Sequence, residues 1–333
     1  GMHITYNKNQ TATIDMPGYI QSAIDSCGLP IDNPRPNPAT QQLFTVHPLS
    51  QPLNHHRAAI FHSIVAKLIY IATRTRPDIL PTLAFLCTRV TSPTTQDETK
   101  LQHLLEYLYG TKHVPFVLGA DSLTRFHTWV DAAFASHHDM RSHTGGVISF
   151  GTGGIICKST RQKLNTKSST EAELVGASDY LPHSLYVLNF MEAQGYPIQE
   201  ATFYQDNESA IKLATNGKLS SGQRTRHLHI RHFFITDHVK NNNIQIIHCP
   251  TDAMLADFLT KPLQGSLFLK FRAVLLGHSH IGSLTPCIPA SLPEERVGKP
   301  SPGGVRPSTV SPPQPGISEA PSQSHSFVDS PEK

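Results

Sequence analysis

Apolar positions recur at helical spacing through residues 57–109 and then change to the alternation of strands. The helical part predicts three helices, at about 57–73, 77–90 and 94–109, with Gly110 as the C-terminal stop of the last one. We interpret this part as a small helical subdomain.

The first 54 residues show a different pattern. The run HITYNKNQTATIDM alternates on both sides of a turn-prone stretch, which predicts a hairpin. Pro17 marks the start of a helix and Gly28 its end. Residues 29–54 are rich in Pro, Asn and Gln, so we expect a linker or an extended loop there.

The chain from Arg125 onward predicts an α/β fold. Three alternating runs (RFHTWVDAAFA, GGVISF and GGIICKS) predict antiparallel strands, and residues 169–193 predict a long helix. Pro182 lies inside that helix and should kink or break it. The remaining pattern is the strand ATFYQDN, the helices ESAIKLAT and LHIRHFFITDHVKNN, the strand IQIIHC and a final helix from Asp252. Together these elements predict a mixed sheet with flanking helices.

Composition limits the remaining possibilities. Residues 283–333 contain 11 prolines and 10 serines, which predicts a disordered tail and an ordered part that ends near Gly277. A hydrophobic fraction of 38% and a net charge of +3 fit a soluble globular protein and are compatible with nucleic acid without requiring it. The five scattered cysteines contain no CxxC pair, which excludes zinc-finger and thioredoxin sites.

Four carboxylates lie at positions that suggest chemistry. Asp131 interrupts the first of the three strands, Glu173 opens the long helix, Asp206 ends a strand and Asp257 lies in the final helix. Taken singly, such residues are turn formers, helix caps or solvated surface. Taken together, clustered carboxylates repel one another and need cations. Hard oxygen ligands suit Mg²⁺, and two such ions about 4 Å apart serve phosphodiester hydrolysis.

The segment SSTEAEL contains two glutamates, and its spacing leaves their roles open. Ser168 with Glu171, and Thr170 with Glu173, both fit a capping box at a helix start. Helical periodicity alone does not decide which glutamate is available for chemistry.

Several of these segments resemble a known family when they are taken in order. They are similar to the C-terminal part of the Pol polyprotein of copia-type LTR retrotransposons, that is, the end of reverse transcriptase and its ribonuclease H domain. The resemblance covers about residues 1–276 and is carried by SIVAKLIYIATRTRPDI, MRSHTGGVISF, SSTEAEL, YQDNESAIKLA and PTDAMLADFLTKPL.

The resemblance implies a ribonuclease H-like fold and cleavage of the RNA strand in RNA–DNA hybrids. It places the family's acidic tetrad on Asp131, Glu173, Asp206 and Asp257. These acids are expected to bind two Mg²⁺ ions, for which Mn²⁺ can substitute. Glu171 is then a structural neighbour of Glu173. Polymerase activity is not expected, because the palm's Y/F-x-D-D motif is absent from this chain. The implied partners are a hybrid and the polymerase part of the same polyprotein.

The resemblance also divides the chain. It implies the end of a palm-like segment over 1–28, a linker over 29–54, a thumb- or connection-like helical subdomain over 55–120, a ribonuclease H domain over 121–277 and a disordered tail over 278–333. No apolar run reaches the length of a membrane span and no signal peptide opens the sequence. We therefore expect an intracellular location, in a cytoplasmic particle or the nucleus, and no membrane partner.

Two further groups of residues are candidates for substrate contact. The basic residues Lys158, Arg161, Lys163 and Lys167 lie just before the long helix and are suited either to phosphate contact or to a solvated loop. His248 precedes the final acidic residue, near the place where some ribonucleases H carry a histidine that assists product release. The alternative for His248 is an ordinary strand-end histidine.

Two other functions compete with the nuclease. Departures from the family pattern, such as Ala133 in place of an Asp and Cys157 in place of a Trp, suggest a decayed relic that binds nucleic acid or a partner without turnover. Another nuclease of the same fold, such as an integrase, would have an acidic set ending in a single Glu and a preceding HHCC zinc module. Neither pattern is present in the sequence.

Overall fold

A computed structural model of the 333-residue chain describes residues 1–216, 234–238, 241 and 244–284. The expected disordered tail falls largely outside the described residues, as does most of the predicted helix LHIRHFFITDHVKNN. Ile281 and Leu284 are buried, so packed structure continues past Gly277. None of the helices in the described part combines the length and apolar character needed to cross a membrane.

Nine strands are present in the described residues. They are β1 (His3–Tyr6), β2 (Ala12–Asp15), β3 (Phe116–Ala120), β4 (Arg125–Ala133), β5 (His143–Ser149), β6 (Gly151–Thr152), β7 (Ile156–Arg161), β8 (Glu200–Gln205) and β9 (Ile244–His248).

The α-helices alternate with these strands only in the second half of the chain. They are α1 (Pro17–Asp25), α2 (His55–Arg74), α3 (Leu80–Cys87), α4 (Thr95–Thr111), α5 (Ser169–Ala193), α6 (Glu208–Asn216), α7 (Asp257–Thr260) and α8 (Gly265–Leu275). Short 3-10 turns occupy Pro77–Ile79, Thr251–Ala253 and Ile281–Leu284.

The N-terminal hairpin, the three helices of the first half and α5 are confirmed, but two predictions were wrong. Helix α4 continues through Gly110, which therefore does not stop it. The final helix from Asp252 is instead a 3-10 turn followed by α7 and α8, because Pro262 cannot continue the helical hydrogen bonds. Helix α5 is not broken at the exposed Pro182.

The main sheet has the order β7-β5-β4-β8-β9, which confirms the predicted mixed topology. Strands β7, β5 and β4 are antiparallel, and β8 and β9 run parallel to β4. The second sheet, β1-β2-β3-β6, includes β3, which the sequence pattern did not reveal. Its five residues lie between the two recognisable patterns and pair with both β2 and β6.

Alternate residues of β4 enter two different cores, as pleating requires. Val130 packs with α5, whereas Trp129 joins a larger cluster that includes residues of α2, α3, α4 and α8. The main sheet is thus covered by α5 on one face and by the helical half, together with α7 and α8, on the other.

A buried ion pair connects the helical half to α8. Arg76 lies 2.7 Å from Asp78, whose carboxylate also accepts a hydrogen bond from the Tyr107 hydroxyl. Arg272 on α8 donates to the same Tyr107 oxygen at 3.3 Å. Although burial raises the pKa of Asp78, the Arg76 guanidinium outweighs it and holds that pKa below its usual value.

Two adjacent glycines in β5 set how closely the layers approach the sheet. A Cβ on Gly145 would lie 2.8 Å from the carbonyl oxygen of Ala256 and from Leu259 Cβ, and one on Gly146 would lie 2.3 Å from the Tyr180 ring on α5. Since neighbouring strand residues point to opposite faces, the pair makes room for α7 on one side and for α5 on the other. Both of these helices carry candidate site residues.

Substitution of Gly146 by alanine should therefore destabilise the fold. The added methyl group overlaps the Tyr180 ring, and overpacking of this kind costs about 1–3 kcal/mol. The measurement is the urea midpoint of unfolding. Gly18→Ala is the matched control, because nothing lies within 4 Å of its Cβ position. Equal midpoints for Gly146→Ala and the wild type would contradict this account of the packing.

Candidate active site

Strand register brings Asp131 and Asp206 to the same end of the sheet. Strands β4 and β8 are parallel, with Trp129 opposite Tyr204, and these two rings stack at 5.0 Å. Asp131 and Asp206 each lie two residues further along, so they extend the same face. The pairing places both carboxylates at the carboxyl ends of adjacent strands.

Glu173 reaches this position from the beginning of α5. Its carboxylate accepts a hydrogen bond from Gln205 Nε2 at 3.2 Å. Carboxylate oxygens of Asp131, Glu173 and Asp206 all lie within 4.8 Å of one another. Three acids that are far apart in sequence thus form one compact group.

Glu171 is held at the start of the same helix. Ser168 is the N-cap, and its hydroxyl accepts from the Glu171 backbone N–H at 3.2 Å. The Glu171 carboxylate accepts from the backbone N–H of Lys167 at 2.8 Å. The structure therefore makes Ser168, and not Thr170, the cap of α5.

The acidic group is electrostatically unfavourable as it stands. Burial raises the pKa of Glu173 well above its usual range, and the charges of Asp131 and Asp206 raise it further. Burial and Asp131 likewise raise the pKa of Asp206. Since each shift disfavours the ionised form, the fully ionised cluster is stable only with positive charge nearby.

Asp257 is the first residue of α7 and lies outside the group of three acids that approach within 4.8 Å. Burial and the Asp131 charge raise its pKa to about 7. Lys261 connects the two acids, with Nζ 2.7 Å from Asp257 Oδ1 and 3.7 Å from Asp131 Oδ2. Thr260 donates its hydroxyl to Asp131 Oδ2. Asp257 is thus joined to the acidic group through Lys261 and Thr260.

The predicted substrate-contact residues are arranged differently. Lys158, Lys163 and Lys167 are exposed, whereas Arg161 pairs with Asp139 at 2.9 Å. His248 is exposed at the end of β9. It is paired across the strands with Gln205, the residue that precedes Asp206.

Several residues around the acids were not found by sequence reasoning. For Lys261 a signal existed, because it follows Asp257 by four residues and so shares a helical face with it. No comparable signal marked Thr260 or Gln205, whose roles depend on contacts between distant elements.

A hydrogen-bonded chain of buried side chains also fixes α7. The Ser159 hydroxyl donates to the Leu259 carbonyl at 2.7 Å, so His143 must use a protonated Nε2 to donate to Ser159 Oγ, also at 2.7 Å. His143 Nδ1 is then the acceptor for His137 Nε2–H, 2.9 Å away. This chain ties the helix that carries Asp257 to strands β5 and β7.

Lys261→Met should destabilise the protein in EDTA. It removes the cation shared by Asp131 and Asp257, and the free energy of unfolding should fall by about 1–2 kcal/mol. This is less than for a fully buried ion pair, because the Lys261 side chain is 40% exposed. Chemical unfolding with and without Mg²⁺ measures this, and Mg²⁺ should reduce the difference. Lys270→Met is the control for loss of an exposed lysine. An unchanged free energy of unfolding would refute the role of Lys261.

The histidine pair should make the fold sensitive to acid. Burial lowers the pKa of His137 to about 4 and that of His143 to about 3, against about 6.5 in the unfolded chain. At these two sites the unfolded state therefore binds more protons below pH 6.5, so their contribution to stability falls as the pH drops from there toward 4, opposite in sign to the contribution of the buried acids.

The variant His143→Gln should reduce this pH dependence, by at most about 1.4 kcal/mol per pH unit for one proton. Unfolding free energies measured between pH 4 and 7 test this prediction, with His56→Gln as an exposed control. If the unfolding free energy of His143→Gln changed with pH as steeply as that of the wild type, the prediction would be wrong.

Comparison with known proteins gives a consistent relationship. No protein-family model matches the chain. It is 28% identical over 222 residues to the retrovirus-related Pol polyprotein from transposon TNT 1-94 of Nicotiana tabacum, which covers 66% of this chain and 16% of the relative. It is 30% identical over 213 residues to the Pol polyprotein from transposon RE1 of Arabidopsis thaliana, covering 63% of this chain and 14% of the relative.

A yeast relative extends the relationship. The transposon Ty1-DR1 Gag-Pol polyprotein of Saccharomyces cerevisiae is 23% identical over 201 residues, covering 58% of this chain and 11% of its own length. The chain therefore spans only a small part of each of these relatives. These matches, together with the copia-type resemblance of the sequence, show that the chain is homologous to part of a retrotransposon Pol polyprotein.

Proposed function

We propose that this chain is a metal-dependent ribonuclease H that hydrolyses the RNA strand of RNA–DNA hybrids. The observation that carries the proposal is the convergence of Asp131, Glu173 and Asp206 within 4.8 Å, with Asp257 joined to Asp131 through Lys261. The four residues come from two strands and two helices, and they are the acids that the family resemblance selects.

The topology supports a ribonuclease H-like fold. Three antiparallel strands are followed by a long helix and by two strands parallel to the first, in the order β7-β5-β4-β8-β9. The acids lie at the carboxyl end of the central strand β4 and around it. The relationship to Pol polyproteins fits this function without specifying it.

The donor set fits magnesium. All the candidate ligands are carboxylates, the hard oxygen donors that Mg²⁺ prefers, and burial together with their mutual charges raises the pKa of Glu173, Asp206 and Asp257. When bound, two Mg²⁺ ions, or Mn²⁺ in their place, supply an activated water and stabilise the leaving oxygen of the phosphodiester.

The protein's own residues prepare this site. Asp131, Glu173, Asp206 and Asp257 would hold the metal ions. Gln205 orients the Glu173 carboxylate through its amide, and Thr260 orients that of Asp131. Glu171 stabilises the start of α5 and takes no part in the reaction. Cleavage leaves a 3′-hydroxyl and a 5′-phosphate.

Surface residues complete the proposed substrate contacts. The exposed lysines 158, 163 and 167 attract the hybrid's phosphates, whereas the charge of Arg161 is already paired with Asp139. His248, beside Asp206, is placed to assist product release. In this proposal residues 121–277 form the nuclease domain, and the polymerase part of the polyprotein is the partner of residues 1–120.

A second candidate function is binding without turnover. The observation that favours it is Lys261, whose ammonium group already contacts Asp131 and Asp257 and so occupies part of the space that a metal ion needs. Retained hybrid binding without magnesium-dependent cleavage would identify this function.

Asp131→Asn and Glu173→Gln should each lower hybrid cleavage by at least a hundredfold, because each removes a ligand whose charge holds the metal ions. The assay uses the whole chain, magnesium and a hybrid labelled on its RNA strand. Glu171→Gln is the matched control: it lies two residues from Glu173 on the same helix and should retain cleavage within about threefold, apart from a small loss of helix capping.

The substitutions also provide clear contrary outcomes. Cleavage that persists in Asp131→Asn would point to a contaminating nuclease or another site. Loss of cleavage in Glu171→Gln with retention in Glu173→Gln would reverse the roles of the two glutamates. Far-UV circular dichroism of each variant separates loss of ligands from loss of fold.

A further inference from the structure

A groove of about 520 Å³ lies along the edge strand of the main sheet, away from the acidic group. Its walls come from the C-terminal end of α2, from β7 and from the middle of α5. Apolar side chains that include Phe116 and Ile156 line part of it, and basic groups project from each wall: Arg74 on α2, Lys158 on β7 and His183 on α5.

These three basic groups have no acidic counterpart. Among the described residues, no carboxylate lies within ion-pair distance of Arg74, Lys158 or His183. Arg74 instead lies over the Tyr70 ring, 5.3 Å from its centroid. Burial and the charge of Lys158 lower the pKa of His183, so its imidazole serves as a neutral hydrogen-bond donor beside the two cations. Basic residues often lie near the C-terminal end of a helix, where they interact favourably with the helix dipole. That effect does not explain this arrangement, because the three basic groups come from three separate elements.

Two aromatic rings continue the groove along α5. Tyr186 is 61% exposed and Phe190 is 49% exposed, and their rings stack with centroids 6.0 Å apart. They are four residues apart in the helix and so share one face. Exposed, parallel rings next to unpaired cations are the combination that proteins use to bind single-stranded nucleic acid: bases stack on the rings while phosphates contact the cations.

We propose that this groove binds a single strand of nucleic acid. Arg74, Lys158 and His183 contact its phosphates, and Tyr186 and Phe190 stack on its bases. The volume is in the range of small-ligand pockets, roughly 300–1,000 Å³, so the groove accommodates part of one strand and not a double helix. The inference rests on the proposed function for the identity of the ligand, whereas the groove and its charges do not depend on it.

Strand register gives the position of this groove relative to the acidic group. Lys158 pairs with Gly146 on β5, next to Gly145, which pairs with Asp131 on β4. Two strand spacings separate β7 from β4, which is about 10 Å. Because paired residues share a face and neighbours alternate, Lys158 faces the α5 side of the sheet and Asp131 the other side, so the groove is a nucleic-acid contact separate from the cleavage site.

The test is fluorescence anisotropy with the whole chain and a short fluorescein-labelled oligothymidylate in EDTA, where no cleavage occurs. The double variant Arg74→Ser/Lys158→Ser should bind more weakly. Its slope of log K against log salt should be shallower by about 1.4, because each lost phosphate contact on a single strand accounts for about 0.7. Tyr186→Ser/Phe190→Ser should weaken binding about 5- to 150-fold.

Matched variants separate this groove from general charge and from misfolding. Lys8→Ser/Lys270→Ser removes the same charge from exposed positions elsewhere and should leave the salt slope unchanged. Arg74→Lys/Lys158→Arg keeps the charges and should retain binding. An Arg74→Ser/Lys158→Ser variant that unfolds at the wild-type temperature yet binds with wild-type affinity and slope would overturn the proposal. An equal loss of affinity in Lys8→Ser/Lys270→Ser would also overturn the proposal.

An acidic peptide is the competing ligand. If oligoglutamate binds as tightly as the oligonucleotide and Tyr186→Ser/Phe190→Ser binds the oligonucleotide normally, the groove is not a nucleic-acid site. Hybrid cleavage by the same variants separates the two proposals. If the wild type does not cleave the hybrid but the groove variants lose oligonucleotide binding, the nuclease proposal is wrong and the groove proposal stands. If the wild type cleaves the hybrid but the groove variants bind the oligonucleotide normally, the nuclease proposal stands and the groove proposal is wrong.

Discussion

The mutual repulsion of buried carboxylates is the constraint around which this fold is arranged. Asp131, Glu173 and Asp206 lie within 4.8 Å of one another, and the pKa of Asp257 is raised to about 7 by burial and by Asp131. Such a group opposes folding at neutral pH unless cations offset it. Lys261 supplies part of that charge, and the donor set suits divalent metal for the rest.

The rest of the structure holds the acids together despite this repulsion. Gly145 allows α7 to lie against β5, and Ser159, supported by the buried histidines 137 and 143, ties the Leu259 carbonyl to β7. Gly146 provides the same close approach for α5, which carries Glu173. The Arg76–Asp78 pair, through Tyr107, connects the helical half to α8, which follows α7. Packing energy from both faces of the sheet therefore offsets an electrostatic cost concentrated at one end of it.

Local patterns in the sequence were sufficient for most elements. The hairpin, the three helices of the first half, α5 and the mixed sheet follow from periodicity, because each has enough residues to show its own period. The pattern failed where an element is short or is defined by its partners. Strand β3 exists through pairing with β2 and β6, and the predicted final helix is divided by Pro262 into α7 and α8.

The sequence by itself determined the four acids as candidates and the relationship to retrotransposon polyproteins, because both depend on residue identity and order. Helical spacing left Glu171 and Glu173 equivalent, since both fit a capping box, and only the family resemblance favoured Glu173. In the tertiary structure their surroundings differ: Glu171 accepts from the Lys167 backbone, whereas Glu173 lies beside Asp131 and Asp206. Only the fold revealed the contacts of Lys261 and Thr260 with Asp131 and the basic groove, because these depend on the distance between elements far apart in the chain, and local spacing carries no information about that distance.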